Sequence, residues 1–203
     1  MEELGRKLTR QRRQSGASTL VLLGVLGLVV IIGVGWYISG LNRVVRLDEN
    51  VQASWAQVEN QLQRRNDLIP NLVNTVKGYA GHERELFTRI TELRSQWASA
   101  ATTQEKVETA SEMGGLLSRL LLVVENYPDL KANQNFLTLQ SQLEGTENRI
   151  AVERMRYNEA VKTFNAHIRT VFGSFFAKRR NLAEPAVYFE VEEAAKAVPK
   201  VEF

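Results

Sequence analysis

Between Gln14 and Asn42 the chain carries no charged residue, and inside that run Thr19–Ile38, TLVLLGVLGLVVIIGVGWYI, is almost wholly apolar. Wound as a helix, twenty residues rise ~30 Å, the thickness of a bilayer's hydrocarbon core. A core helix of a water-soluble domain is usually shorter and keeps a polar face, and this stretch has none. The reading is a membrane-inserted helix over residues 18–40, preceded by a basic tail over 1–17. A cleaved leader competes with it, because a basic segment before an apolar run is also the pattern of a signal peptide. The length of the run and its exit through Trp36-Tyr37, a pair suited to a membrane–water interface, favour a retained anchor. Gly24, Gly27 and Gly35 fall within about 80° on one helix face, a stripe that could let two spans approach closely. Glycine is also simply common in membrane helices, and in the absence of GxxxG that plainer reading is preferred.

Charge assigns the basic tail a role. Residues 1–17 carry Arg6, Lys7, Arg10, Arg12 and Arg13 against Glu2 and Glu3, a net of +3. The whole chain is also +3, so residues 18–203 balance. A neutral remainder argues against nucleic-acid binding, which depends on concentrated positive charge. The tail reads instead as a topology determinant. Five Lys and Arg before the span against Arg43 and Arg46 after it place the N-terminus in the cytoplasm and the rest outside. The chain has no cysteine, which excludes disulfides, thiol catalysis and thiolate metal sites.

From Leu41 the pattern becomes charged and amphipathic. Val51, Trp55, Val58, Leu62, Ile69, Leu72, Val76, Tyr79, Leu86, Ile90, Leu93 and Trp97 follow alternating 4 and 3 spacings, with Arg65 and Glu83 in the two missing positions. That is a heptad seam kept in one phase. Pro70 lies inside it, lacking the N–H that would bond the Asn66 carbonyl. The expectation is one long helix kinked near Asn66–Pro70, or two nearly coaxial ones, weakened further along by Gly78 and Gly81. Ala98–Thr103 reads as a turn. A third helix is expected over about Thr103–Asn126, with a seam of Ala110, Gly114, Leu117, Leu121 and Val124; Gly114-Gly115 marks either a close helix approach, the preferred reading, or a split. Asn126–Asn133 is a connector with turn chemistry. The last helix is expected over about Asn133–Phe172, its seam ending with Tyr157, Val161, Phe164, Ile168 and Val171. Beyond it, Phe175, Phe176, Tyr188, Phe189 and Phe203, with Glu190, Glu192 and Glu193 among apolar residues, are too many aromatics for a solvated tail. Residues 173–203 are expected to dock on the bundle or on a neighbouring protomer. The fold class is therefore all-α: an N-terminal single transmembrane helix, then an elongated antiparallel bundle of long helices over 41–172.

Two stretches carry a resemblance. One is Gln63-Arg-Arg-Asn-Asp-Leu-Ile-Pro-Asn-Leu-Val73, continuing through Val76-Lys-Gly-Tyr-Ala80 to His82-Glu83. The other is Glu125-Asn-Tyr-Pro-Asp-Leu-Lys-Ala-Asn133 with Asn135-Phe136, Thr146–Ala151, Tyr157-Asn158 and Phe164-Asn165. Together they resemble the LemA family of bacterial membrane proteins, over roughly Leu41 to Val171. The resemblance implies an N-terminal transmembrane helix followed by a helical bundle, with no established enzymatic activity. The family usually has a proline soon after the last helix's Phe; here Gly173 follows Phe172.

The motif residues Arg64, Arg65, Asp67, Pro70, Asn71, Tyr127, Pro128, Asp129 and Asn133 have local work to do before any ligand is invoked. Asp67 can cap a helix restarted at Leu68, and Asn71 can act similarly. Arg64 and Arg65 lie one turn from Asp67 and can pair with it. Asp129 can bond the backbone of its own turn, and Asn133 can cap the last helix. Catalytic signals are weak. His82-Glu83 begins like a metalloprotease motif, but Leu86 stands where the second histidine belongs. His167 has no partnering motif, and Glu125, Asp129, Glu144 and Glu147 read as exposed helical carboxylates. No serine elbow and no phosphate loop is present. The expectation is a non-enzyme without metal, cofactor or small-molecule substrate, held in the bacterial inner membrane and working by protein–protein contact. It would act as a homo-oligomer and with other envelope membrane proteins. The alternatives are a regulator of a membrane protease, a lipid-organising protein, or a hydrolase whose site forms between protomers.

Overall fold

The computed structural model describes residues 2–189, with side chains from residue 20 onward. Six helices occupy them: α1 (Glu2–Lys77), α2 (Arg84–Ser99), α3 (Thr103–Val124), α4 (Pro128–Lys131), α5 (Gln134–Ile168) and α6 (Val171–Arg179). No strand occurs among the described residues, and the protein is all-α. Residues 190–203, including Glu190, Glu192, Glu193 and Phe203 of the expected tail contact, lie outside them, as do the side chains of the basic tail. Two compact units form. One joins α1 as far as Arg46 with His167–Ala183; the other joins Leu47–Ala166 with the segment from Glu184.

In the second unit α1, α2, α3 and α5 share one core. Ile69, Leu72 and Val76 meet Ile90 and Leu93, Met113, Leu117 and Leu120, and Phe136 and Leu143. These are the positions at which the heptad spacing put the seam, with one shift. In α3 burial falls on Met113 and Leu120 rather than on Gly114 and Leu121. The pairing of α1 with α2 is antiparallel, as Arg94 reaching back to Asn66 requires.

The break in the first seam is elsewhere than expected. α1 runs through Pro70 to Lys77, with neither a restart at Leu68 nor two coaxial helices. The chain turns at Gly78–Glu83 instead, where the Tyr79 and Ala80 N–H groups both bond the Val76 carbonyl at 3.0 and 2.9 Å. The low helix propensity of Gly78 and Gly81 outweighs an unbroken apolar phase there. Tyr79, read as a seam residue, is consequently exposed. The carbonyl that Pro70 leaves bare does not stay bare: Arg94 Nε donates to Asn66 O at 3.2 Å, and Asn66 itself is buried. A side chain on the neighbouring helix thus replaces the backbone bond that proline removes, and α1 continues.

α3 opens with a capping box. Thr102 Oγ1 accepts from Glu105 N, and the Glu105 carboxylate accepts from Thr102 N and Ala101 N. Those backbone donors hold the Glu105 carboxyl below its ordinary range.

The last helix ends at Ile168, four residues short of the expected Phe172, and Val171 is exposed rather than part of the seam. Thr170 is the cause. Its hydroxyl donates to the His167 carbonyl at 2.8 Å and accepts from Gly173 N at 3.0 Å, closing one helix and capping the next. Gly173 permits the corner, because a Cβ there would fall 1.9 Å from His167 O. α6 closes with Asn181 at φ 57°. Leu182 N bonds Ala177 O and Asn181 N bonds Lys178 O, the two bonds of a Schellman motif.

The Pro70–Arg94 arrangement is testable by a double-mutant cycle. Arg94→Ala should cost about 1–2 kcal/mol, since it leaves the buried Asn66 carbonyl unpaired. In a Pro70→Ala background, where an amide N–H returns to that carbonyl, the same change should cost less than about 0.5 kcal/mol. Pro70→Ala alone should remain folded and helical. Urea unfolding of the four proteins by circular dichroism measures the coupling, and equal costs for Arg94→Ala in both backgrounds would disprove it.

Candidate functional site

The motif residues divide between the core and the surface. Arg65 occupies a seam position and is 96 % buried by complement of its 4 % exposure. Its Nη2 donates to Ala110 O on α3 at 2.8 Å and its Nη1 to Glu147 Oε1 on α5 at 3.3 Å. Gly114 lies beside the same guanidinium, where a Cβ would sit 4.0 Å from Arg65 Nη1 in ordinary contact and meet no other helix backbone within 4 Å, so the close helix approach expected there is not found. Burial lowers the Arg65 pKa, and Glu147 acts against that. The pairing of Arg64 or Arg65 with Asp67 does not occur among the described residues. Asp67 accepts from Gln63 Nε2 at 2.8 Å and, lying inside α1, caps nothing; Arg64 is exposed. Asn71 is exposed, its backbone carbonyl taking the Thr75 hydroxyl. Tyr127 and Pro128 start α4, with Pro128 at its first position and Tyr127 against the core. Asp129 is exposed in the first turn of α4. Asn133 Oδ1 accepts from Asn135 N and Phe136 N at 2.9 and 3.1 Å and so caps α5, while its Nδ2 donates to the Tyr79 hydroxyl at 3.0 Å.

The most specific arrangement in the second unit lies elsewhere, on α5, and turns on Asn158 and Asn165, to which sequence reasoning gave no structural role. After α6 the chain passes Pro185 and lies extended along α5. Asn165 pairs with both backbone groups of Ala186, Nδ2 to the carbonyl at 2.9 Å and N–H to Oδ1 at 2.8 Å. Asn158 does the same with Phe189, at 3.0 and 2.8 Å. Between them the Tyr157 hydroxyl donates to Val187 O at 2.7 Å. A carboxamide carries one donor face and one acceptor face, as a peptide group does, so each asparagine stands in for a strand residue. The spacing works because seven helical residues rise ~10.5 Å and three extended residues span ~10 Å. Three is also the period at which a polyproline-like chain returns to the same face.

Phe189 anchors the strap. It is buried, with the Arg154 guanidinium 4.1 Å above its ring and Trp55 6.4 Å away, and Trp55 in turn meets Tyr157 at a tilt, ring centroids 5.4 Å apart. Burial pushes the Tyr157 hydroxyl up to about 12, and lowers the Arg154 pKa with help from Arg65. The groove beside the strap, about 500 Å³, is lined by Met155, Asn158, Glu159, Lys162 and Tyr188 among others. The arrangement holds an extended peptide by its backbone and one aromatic side chain. Among the described residues, no group of three or more His, Asp or Glu side chains is arranged to hold a metal ion. The signal in the sequence was the repeat of an aromatic–asparagine pair at a spacing of seven, Tyr157-Asn158 and Phe164-Asn165.

Comparison with known proteins agrees on one group. The family model described as the LemA family matches residues 54–203. Protein LemA of Metamycoplasma hominis is 24 % identical over 167 residues, covering 81 % of this chain and 76 % of the relative. Magnetosome protein MamQ 2 of Paramagnetospirillum magneticum is 26 % identical over 194 residues, covering 83 % and 69 %. Magnetosome protein MamQ of Magnetospirillum gryphiswaldense is 23 % identical over 183 residues, covering 77 % and 67 %.

Each asparagine should be separately measurable. Asn158→Ala removes two bonds worth ~1 kcal/mol each, so amide exchange at Phe189 should rise about 10–100-fold, and Asn165→Ala should do the same at Ala186. Alkali should release the strap as well. The Tyr157 pKa is raised from 10.0 to about 12 in the folded state, so its contribution is intact below pH 10 and lost as pH rises towards 12. Hydrogen exchange followed by mass spectrometry, with Trp55 fluorescence against pH, checks both; exchange unchanged in both alanine variants would refute the pairing.

Proposed function

The chain belongs to the LemA family, and we propose that it is a single-pass inner-membrane protein whose helical bundle works by protein–protein contact in the bacterial cell envelope, without catalysis. The observation that supports this most directly is α1. It is one unbroken helix whose first half includes an apolar stretch, exposed throughout residues 20–39, that is long enough to cross a membrane. Its second half supplies the core of the bundle. Left in water, the fifteen large apolar side chains exposed between Leu20 and Ile38 would, at ~25 cal/mol per Å², make the chain insoluble, and a bilayer is the solvent that removes the cost.

The polar interior supports a non-catalytic role. Arg65, Asn66, Thr146 and Asn165 are the buried polar residues among those described: Arg65 donates to the Ala110 carbonyl and Glu147, the Asn66 backbone carbonyl accepts from Arg94, Thr146 donates to the Gln142 carbonyl, and Asn165 pairs with the strap. The matching relatives are named for a family or for a cellular structure, the magnetosome, rather than for a reaction. Orientation follows the flanking charge: five Lys and Arg before the span against Arg43 and Arg46 after it put the N-terminus in the cytoplasm and the bundle outside. Anchoring holds protomers in one plane and one orientation, which raises their effective concentration and lets weak lateral contacts build a homo-oligomer.

The absence of cysteine makes the test direct. Ser15→Cys and Gln104→Cys provide single labelling sites before and after the span. A membrane-impermeant maleimide applied to intact spheroplasts should label position 104, and position 15 only after lysis. The opposite pattern reverses the orientation, and release of the protein by alkaline carbonate removes the anchor. Light scattering of the detergent-extracted full chain should report a mass of several protomers; a monomer in several mild detergents refutes the assembly.

A further inference from the structure

In the first unit α6 lies against the end of the apolar stretch of α1. Phe172 and Phe176 meet Trp36 edge-on with ring centroids 5.2 Å apart, and Phe175 and Phe176 meet Tyr37 at 6.5 and 5.8 Å. Gly40 is the seat for Phe176, since a Cβ there would fall 2.2 Å from its ring. Phe176, Gly173 and Ala177 turn inward and are buried. The other face is not covered: Val171 is 84 % exposed, Phe172 63 % and Phe175 44 %. That face continues the exposed apolar surface of the span, where Trp36 and Ile38 are about half exposed. The basic run Lys178-Arg179-Arg180 follows at the end of α6, all three exposed.

We propose that α6 is an interfacial helix, lying in the headgroup region where the span leaves the bilayer. Val171, Phe172 and Phe175 face the acyl chains, and Lys178, Arg179 and Arg180 meet anionic lipid phosphates. The proposal rests on the reading of residues 18–40 as a membrane span. Four observations commit the face to lipid. It adjoins the apolar span through four aromatic contacts, so a bilayer surface is already at that height. Trp36 and Tyr37 are the residue types that gather at membrane–water interfaces. The cations complement an anionic leaflet. A second copy placed symmetrically on the same face would bring its own three cations against these.

The function of such a helix is to fix depth and rotation. A span alone can slide and turn in the bilayer, whereas a span bonded through aromatics to a helix in the interface plane has a second, perpendicular constraint.

The cysteine-free chain again gives the experiment. Val171→Cys and Phe175→Cys are labelled singly with an environment-sensitive fluorophore in the full-length protein, reconstituted into bilayers of anionic and zwitterionic phospholipid. Leu26→Cys within the span and Gln104→Cys on α3 are the references. Lipids spin-labelled near the headgroup should quench positions 171 and 175 at least about threefold more than position 104, and lipids labelled deep in the chain should quench position 26 most. Quenching at 171 and 175 no greater than at 104 overturns the proposal. So does a blue-shifted but unquenched fluorophore at both, which would mean protein covers the face. Absence of quenching at 26 would instead defeat the span reading on which this one rests. Changing Lys178, Arg179 and Arg180 together to Gln should lower quenching at 175 about twofold in the anionic bilayer; no change removes the headgroup contact from the proposal.

Discussion

The fold depends on α1 remaining a helix past Pro70. A proline inside a helix costs about 3 kcal/mol, part of it for the carbonyl stranded one turn back. Here that carbonyl belongs to Asn66, in the buried seam, where water cannot satisfy it. Arg94 on α2 does so, which means that the continuity of α1 is achieved only once α2 has folded back against it. Helix and tertiary contact are one event at this point. The first seven residues past the proline, with Leu72, Val73 and Val76, carry much of the core, so a chain that broke at Pro70 would lose the bundle as well as the helix.

A charged group stands in the interior for a similar purpose. Arg65 sits where a heptad asks for an apolar residue, and it ties three helices together: its own, α3 through the Ala110 carbonyl, and α5 through Glu147. Glu147 keeps partial contact with solvent, with a side chain 41 % exposed, so the pair is an ion pair at the edge of the core rather than one sealed within it. This moderates the desolvation cost that makes fully buried pairs weak stabilisers. A seam of leucines can slip by a heptad, whereas an arginine with two fixed acceptors cannot, and the register of the bundle is defined there.

Much of this architecture was legible from spacing alone. The uncharged run, most positions of the three seams, the turn at Ala98–Thr103 and the Asn133 cap follow from periodicity and turn chemistry acting over a few residues. What was not legible required knowing what faces what. Arg65 looked like a gap in a seam because its acceptors are 45 and 82 residues away. Pro70 left open a kinked helix or two coaxial ones because nothing nearby in sequence offers the Asn66 carbonyl a donor, whereas Arg94 lies 28 residues on from Asn66. Gly78 and Gly81 were read as weaknesses when they are the break. The end of α5 was misplaced because Val171 and Phe172 continue the apolar pattern; their surface role became visible only once Thr170 and Gly173 turned the chain. The same turn brings Lys178, Arg179 and Arg180 back to the end of the span, a concentration of charge that counting flanking residues does not register.

Glu147 connects the interior to the strap. Arg65 and Arg154 both feel it, and each lowers or resists the charge of its surroundings: burial and Arg65 depress the Arg154 pKa, and Glu147 counters them. The Arg154 guanidinium also lies 4.1 Å from the centroid of the Phe189 ring, whose face attracts a cation through its quadrupole rather than through a formal charge. Phe189 is placed there by Asn158, which grips its backbone from both sides. The strap is therefore more than a cover for apolar surface. Its aromatic ring adds a cation–π contact with Arg154, and an aliphatic side chain of equal size at position 189 would fill the same space without that contribution.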